Sequence, residues 1–146
     1  MDRIHALVAP ARAAALLLAV SLVSACSSVS LAETGPLKLT GDQEVPPVTT
    51  AATGTSTIRI ASDGGVSGEV KTTGVDGTMA HIHTGARGAN GPVIVPLTKT
   101  ADGVWSVPAG AKLTAEQLAT YKAGGLYVNV HSAANKGGEI RAQLQP

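Results

Sequence analysis

Short runs in which apolar and polar residues alternate recur along the chain from residue 37 onward, with glycine-containing turns between them. Alternation with a period of two is typical of β-strands, because successive side chains point to opposite faces. These runs and the 17 glycines of the chain indicate many short strands joined by tight turns. We therefore predict an all-β protein, an antiparallel β-sandwich or barrel of about eight strands, at 37–40, 53–61, 66–71, 78–83, 93–97, 104–107, 126–131 and 139–143.

One segment departs from this pattern. Thr114 and Gln117 have the spacing of a capping box, in which each side chain binds the other residue's backbone N–H. Leu118 and Tyr121 follow at helical spacing, and Gly124 is a residue that commonly ends a helix. The segment predicts one short helix that connects two strands.

The first 25 residues have a different composition from the rest. Arg3 and Arg12 make the start basic, residues 13–23 are almost entirely Ala, Leu and Val, and small residues precede Cys26. This order is typical of a secretory signal peptide. The apolar stretch is shorter than the about 20 residues that a membrane-spanning helix needs. We predict a signal peptide at 1–25.

Cys26 is the single cysteine of the chain, so no intramolecular disulfide can form. The run Val23-Ser-Ala-Cys26 resembles a bacterial lipobox, in which the sulfur of the cysteine carries a diacylglycerol. The alternative is an ordinary cleaved signal that leaves a free thiol. We predict lipidation of Cys26, a tether at 26–36 and a domain at 37–146. The protein would then be an extracytoplasmic, membrane-anchored lipoprotein, at the outer membrane and periplasm or the cell surface.

The charges of the chain are balanced, with 11 Lys and Arg against 10 Asp and Glu. Without Asp2, Arg3 and Arg12, which precede Cys26, the two signs are equal in number. Balanced charge without basic clusters predicts no nucleic-acid partner and leaves the lipid as the attachment to the membrane. The sequence contains no Gly-x-Ser-x-Gly elbow and no phosphate-binding loop, which favours a binding or structural module over an enzyme.

Three of the four histidines lie on two predicted strands. His81 and His83 are two residues apart and therefore share a strand face, and His131 ends another strand. If strands 78–83, 126–131 and 139–143 are neighbours, their polar faces merge and the three imidazoles converge. We predict a metal site at His81, His83 and His131, with copper preferred, zinc second, and Met79 as a supplementary ligand. The alternative is that the histidines serve hydrogen-bond networks.

Asn129, Glu139 and Arg141 fall on the same merged face. One interpretation is that they orient the ligand histidines without binding the metal themselves. For Glu139 and Arg141 we prefer the simpler interpretation, a cross-strand ion pair at the surface.

Six runs of sequence, taken in order, resemble the CHRD domain, which was named for its occurrence in chordin and is widespread in bacterial secreted proteins. The resemblance implies an immunoglobulin-like β-sandwich or barrel and assigns no chemistry. The runs are Leu39-Thr-Gly-Asp-Gln-Glu-Val-Pro-Pro-Val48, Ala52-Thr-Gly54, Ala80-His-Ile-His-Thr-Gly85, Asn90-Gly-Pro-Val93, Leu126-Tyr-Val-Asn-Val-His131 and Gly137-Gly-Glu-Ile-Arg141.

The His81-Ile-His83 run is also similar to the copper-binding His-x-His of copper/zinc superoxide dismutase. That resemblance implies a copper-type pair, but the additional histidines and aspartate of the enzyme's zinc site have no counterpart here. We therefore predict a lipid-anchored module of the cell envelope that binds copper or zinc through three histidines. The alternative is a small copper redox protein with superoxide dismutase-like chemistry.

Overall fold

The structure is a computed structural model that describes residues 35–146. The predicted signal peptide at 1–25, the lipidation site Cys26 and most of the predicted tether at 26–36 lie outside these residues. The described residues contain a 3-10 helix at Gly41–Gln43, one α-helix, α1, at Ala115–Lys122, and strands at Leu37–Leu39 (β1), Thr53–Ser56 (β2), Arg59–Ile60 (β3), Val66–Ser67 (β4), Glu69–Thr73 (β5), Gly77–Thr84 (β6), Val93–Pro96 (β7), Thr98–Ala101 (β8), Val104–Ser106 (β9), Leu126–Ser132 (β10) and Ile140–Gln143 (β11).

The strands form two main antiparallel sheets. One has the order β1-β2-β5-β9-β8, the other has the order β11-β10-β6-β7, and β3 and β4 form a separate hairpin. The buried apolar residues of both sheets belong to one cluster. The predicted all-β sandwich is confirmed, and no barrel closes within residues 35–146.

The hydrophobic core lies between the two sheets. Leu39 and Val70 contribute from the five-stranded sheet, and Ile82 and Val128 from the four-stranded sheet, all of them fully buried. Each such side chain stabilises the fold by roughly 1.5–3 kcal/mol relative to exposure. Trp105 is buried in the same cluster.

The structure has more strands than the sequence predicts. Gly68 has φ of +109°, a backbone conformation that other residues rarely adopt, and it divides the predicted strand 66–71 into β4 and β5. The predicted strand 53–61 is likewise divided between β2 and β3. All four residues of β8 are exposed, so no apolar alternation marks this strand in the sequence.

The predicted helix is confirmed, including its ends. The backbone N–H of Gln117 donates to Thr114 Oγ1 at 3.2 Å, and the N–H of Thr114 donates to Gln117 Oε1 at 2.9 Å. Leu118 and Tyr121 pack against the core. Gly124 follows the helix with φ of +74°. No helix in the described part of the chain has the length and apolar character needed to cross a bilayer.

The register of the four-stranded sheet places the predicted site residues side by side. Strand β10 lies between β6 and β11, which confirms the hypothesis that these three strands are neighbours. Across β10 and β6, Tyr127 pairs with His83, Asn129 pairs with His81, and His131 pairs with Met79. Directly paired residues have Cβ atoms about 4.5–5.5 Å apart, which is close enough for their side chains to touch.

Candidate metal centre

The three histidines lie on the outer face of the four-stranded sheet, opposite the hydrophobic core. Side chains alternate along β10, so Val128 and Val130 enter the core while Tyr127, Asn129 and His131 point the other way. The same alternation on β6 and β11 gives the polar face its other members, which are Met79, His81, His83, Arg141 and Gln143.

The three imidazoles converge. One ring nitrogen of each of His81, His83 and His131 lies within 4.8 Å of the corresponding nitrogens of the other two. The ring centroids are 4.9 Å apart for His81 and His131, 5.5 Å for His81 and His83, and 6.0 Å for His83 and His131. A metal about 2.0–2.1 Å from each nitrogen requires nitrogens about 3.3–3.6 Å apart. The nitrogens therefore lie within about 1.5 Å of the spacing that one ion requires.

Two of the three rings are held by backbone carbonyl groups. The Nδ1 atom of His83 lies 3.0 Å from the Gly91 carbonyl oxygen, and that of His131 lies 2.9 Å from the Lys136 carbonyl oxygen. A carbonyl only accepts hydrogen bonds, so each Nδ1 carries the hydrogen and each Nε2 keeps its lone pair when the ring is neutral. The His83 ring is only 6% exposed, and its Nε2 has no hydrogen-bond partner.

His81 completes the set from the more open side. Its Nδ1 atom lies 3.1 Å from Nε2 of His131, and His81 is less buried than the other two rings. Because His131 offers a lone pair at Nε2, His81 is the donor in this hydrogen bond. A metal that bound Nδ1 of His81 and Nε2 of His131 would replace this hydrogen bond, and the hydrogen of His81 would then be carried by Nε2 of its own ring.

The surroundings keep the imidazoles neutral. Burial lowers the pKa of His83 and of His131 below the ordinary value of 6.5. Burial lowers the pKa of His81 as well, and the neighbouring His131 and His83 add to this, so that it falls to about 4. Histidine binds metals as the neutral ring, and all three are therefore in the ligating form at pH 7.

The structure separates Glu139 from Arg141. Thr50 Oγ1 donates to Glu139 Oε1 at 2.8 Å, and Glu139 forms no ion pair with Arg141. Arg141 is not at the surface but is 1% exposed. The predicted surface ion pair is wrong, because the guanidinium of Arg141 points beneath the glycine-rich loop at 85–91 and binds its carbonyl oxygens.

Asn129 lies between these groups. It pairs with His81 on one side and with Arg141 on the other. Its Nδ2 donates to the Gly137 carbonyl oxygen at 3.4 Å, and its buried Oδ1 has no partner. Asn129 therefore belongs, with Arg141, to a layer of buried polar side chains beside the histidines.

Sequence reasoning missed two residues of this layer. The Tyr127 ring stacks on His83, with centroids 4.8 Å apart and an angle of 5° between the planes. The alternation of strand 126–131 places Tyr127 on the histidine face and could have indicated this contact. Glu44 is 4% exposed, and burial raises its pKa to about 7 although Arg141 and a hydrogen bond from Asn129 act to lower it. Glu44 lies in a proline-rich loop, which has no alternation from which its burial could be predicted.

Met79 borders the open side of the centre. It pairs directly with His131 in the register and is 49% exposed. A thioether at this position is a soft ligand of the kind that favours copper(I).

A groove of about 320 Å³ lies elsewhere, on the five-stranded sheet. Its lining contains no histidine, cysteine, aspartate or glutamate, and consists of Lys38, Leu39, Thr40, Thr53, Gly54, Thr55, Lys71 and Thr73. The histidine cluster is therefore the stronger candidate for a functional site.

Comparison with known proteins gives one match. A family model described as the CHRD domain matches residues 36–144, which is most of the chain and nearly all of its described part. Neither a curated protein nor a solved structure matches the chain. The local similarity of His81-Ile-His83 to superoxide dismutase gains no support from these comparisons.

Proposed function

The chain belongs to the CHRD domain family, and we propose that its β-sandwich is a metal-binding module of the cell envelope. The ion is copper or zinc, held by His81, His83 and His131. The module is extracytoplasmic and is attached to a membrane by a lipid on Cys26.

The observation that carries the metal proposal is the way in which His83 and His131 are held. Both donate their Nδ1–H to a backbone carbonyl oxygen. Metal-ligating histidines almost always donate the second ring N–H to a carbonyl, carboxylate or water, which fixes the tautomer and the ring orientation. A buried Nε2 without a partner, as in His83, otherwise costs free energy.

Copper and zinc suit this set of ligands. Imidazole nitrogen binds both ions well, and three histidines leave a fourth position for water, an exogenous ligand or the Met79 thioether. Zinc fits a tetrahedral site with water at the fourth position. Copper(I) fits a site in which Met79 takes that position.

The envelope location is supported by the start of the sequence. A basic segment, an apolar stretch and small residues precede Cys26, which is the order found in secretory signals. A lipid on Cys26 and a tether to residue 36 would hold the domain close to a membrane surface while leaving it in water.

The test is metal analysis of the purified protein after chelation, dialysis and reloading with copper or zinc. We expect about one ion per chain, and loss of that ion in His83→Ala and His131→Ala. Asp102→Ala is the control, since this exposed carboxylate is also able to bind metal but lies outside the cluster. A stoichiometry near zero that His83→Ala leaves unchanged would overturn the proposal. Bound copper without superoxide turnover would exclude the redox alternative and retain metal binding.

A further inference from the structure

His83, Tyr127 and Arg141 form a stack of three planar groups across the sheet. The Tyr127 ring is parallel to the His83 ring, and the Arg141 guanidinium carbon lies 3.4 Å from the centre of the Tyr127 ring. Strand β10 lies between β6 and β11, so histidine and arginine are on opposite sides of the tyrosine. A guanidinium against an aromatic face is held by the attraction between its positive charge and the π electrons of the ring, and this attraction is stronger when the pair is desolvated.

The same guanidinium holds the 85–91 loop. Its Nη2 donates to the carbonyl oxygens of Ala86 and Ala89, at 3.2 and 2.9 Å, and its Nη1 donates to Asn90 Oδ1 at 3.2 Å. Asn90 in turn donates to the Val45 carbonyl oxygen at 2.7 Å. Arg141 thus fixes the loop whose last residue, Gly91, receives the hydrogen bond from His83.

Two sets of contacts, here called routes, therefore connect Arg141 to His83. One passes through the Tyr127 ring and fixes the plane of the imidazole. The other passes through the loop and places the carbonyl oxygen that receives the Nδ1–H. In addition, the N–H of Gly91 donates to the Tyr127 hydroxyl at 3.4 Å, which joins the two routes.

We propose that Tyr127 and Arg141 are positioning residues of the metal centre, which hold His83 in the Nδ1–H tautomer and leave its Nε2 as the ligand atom. This inference rests on the metal site proposed above. Neither residue touches the ion. They fix the orientation of the imidazole ring and the conformation of the loop in the metal-free protein, so that metal binding does not have to order either.

Arginine is required here for a geometric reason. Its planar group lies over the tyrosine ring while its N–H groups reach three acceptors of the loop, whereas the compact ammonium of lysine cannot make both sets of contacts at once. Arg141→Lys keeps the charge and most of the side chain, and therefore separates the effect of positioning from the effect of the charge.

The test combines two measurements on the purified full chain. The first is the His83 tautomer in the metal-free protein, from the 15N chemical shifts of its ring nitrogens. The second is the affinity for Zn²⁺ by competition with a chelator. In Arg141→Lys we expect a mixture of His83 tautomers and a 10- to 100-fold loss of zinc affinity, the range typical of lost outer partners of ligands. The tautomer of His131, which is held by Lys136, should not change.

Further variants make the result decisive. Tyr127→Leu removes the stack and should change the His83 tautomer and the zinc affinity as Arg141→Lys does. Tyr127→Phe keeps the ring and should retain most of the zinc affinity of the unaltered protein. Arg59→Lys, an exposed arginine on β3, is the control. If Arg141→Lys does not fold, Tyr127→Leu and Asn90→Ala take its place.

A folded Arg141→Lys with the His83 tautomer and zinc affinity of the unaltered protein would overturn the proposal. So would an unchanged tautomer in both Tyr127→Leu and Asn90→Ala. If the unaltered protein binds neither zinc nor copper, the proposed function fails, and the tautomer of the metal-free variants still decides whether these residues position His83.

Discussion

The Nδ1 atom of His81 lies 3.1 Å from Nε2 of His131, so the two rings share one hydrogen across adjacent strands. A metal ion could bridge these two nitrogens without movement of either strand, with the hydrogen of His81 moving to Nε2 of its own ring. The protein without metal therefore already has two of the proposed ligands in contact, and a nitrogen of the third, His83, lies within 4.8 Å of theirs.

Metal binding should tolerate mild acid. Burial lowers the pKa of the three imidazoles, that of His81 to about 4, so protons compete with the metal only well below the ordinary value of 6.5. We expect zinc affinity to change little between about pH 7 and pH 6 and to fall steeply toward pH 4. Chelator competition at a series of pH values measures this. A loss of about tenfold between pH 7 and pH 6 would contradict it.

Glu44→Gln should stabilise the fold at alkaline pH. The folded chain holds the Glu44 proton up to a pKa of about 7, against 4.5 for the ordinary carboxyl group. The stability that this difference contributes is complete below pH 4.5 and is lost as the pH rises to about 7. Since glutamine cannot ionise, we expect the variant to gain about 1–2 kcal/mol at pH 8 relative to the unaltered protein, allowing for solvent screening.

Urea unfolding at pH 4 and pH 8 measures this effect. Glu116→Gln on the exposed first turn of α1 is the control. Equal effects of Glu44→Gln on the free energy of unfolding at the two pH values would show that the pKa of Glu44 is the same in the folded and unfolded chain, and would contradict the prediction.

Gly138→Ala should be strongly destabilising, whereas Gly137→Ala should not. Gly138 has φ of +133°, and a Cβ there would overlap Glu44 Oε1 and Asn129 Nδ2, both of which are buried. Nothing lies within 4 Å of a Cβ at Gly137. We expect a loss of about 2 kcal/mol or more for Gly138→Ala, and a change within about 0.5 kcal/mol for Gly137→Ala. Thermal unfolding of the two variants compares neighbouring positions directly, and equal melting temperatures would contradict this packing.

Cys26→Ser should release the protein from membranes. The sulfur of Cys26 is the predicted acylation site, and stable anchoring depends on buried acyl chains because the remaining charges are balanced. Fractionation of cells that produce the variant measures this, with Ser27→Ala as the neighbouring control. Membrane attachment of Cys26→Ser equal to that of the unaltered protein would exclude a lipid anchor at this residue.

The convergence of the histidines could be predicted because it depends only on alternation and on one pairing of strands. A period of two places His81 and His83 on one face, and pairing of β6 with β10 adds His131. The turn before β11 indicated the pairing of β10 with β11. The adjacency of β6 and β10 was a hypothesis, and the register confirms it.

The role of Arg141 could not be predicted from residue types. Its partners are mostly backbone carbonyl oxygens of the 85–91 loop, and any residue in that loop could supply such a group. The sequence showed only an acidic and a basic residue two positions apart on one strand, which is the ordinary pattern of a surface pair. The burial of Glu44 could not be predicted either, since it depends on how a loop folds back over the sheet.

Strand β10 has the hydrophobic core on one side and the proposed metal ligand His131 on the other, and this has an evolutionary consequence. A slip of one residue against β6 would bring valines out to solvent and drive the imidazole inward, at a cost that no folded domain of this size would survive. Selection for a stable interior therefore also preserves the alignment of the ligands. If the proposed site binds a metal, descendants of this chain could lose, regain or exchange it through single substitutions on the outer face, while the strands that position the histidines stay unchanged.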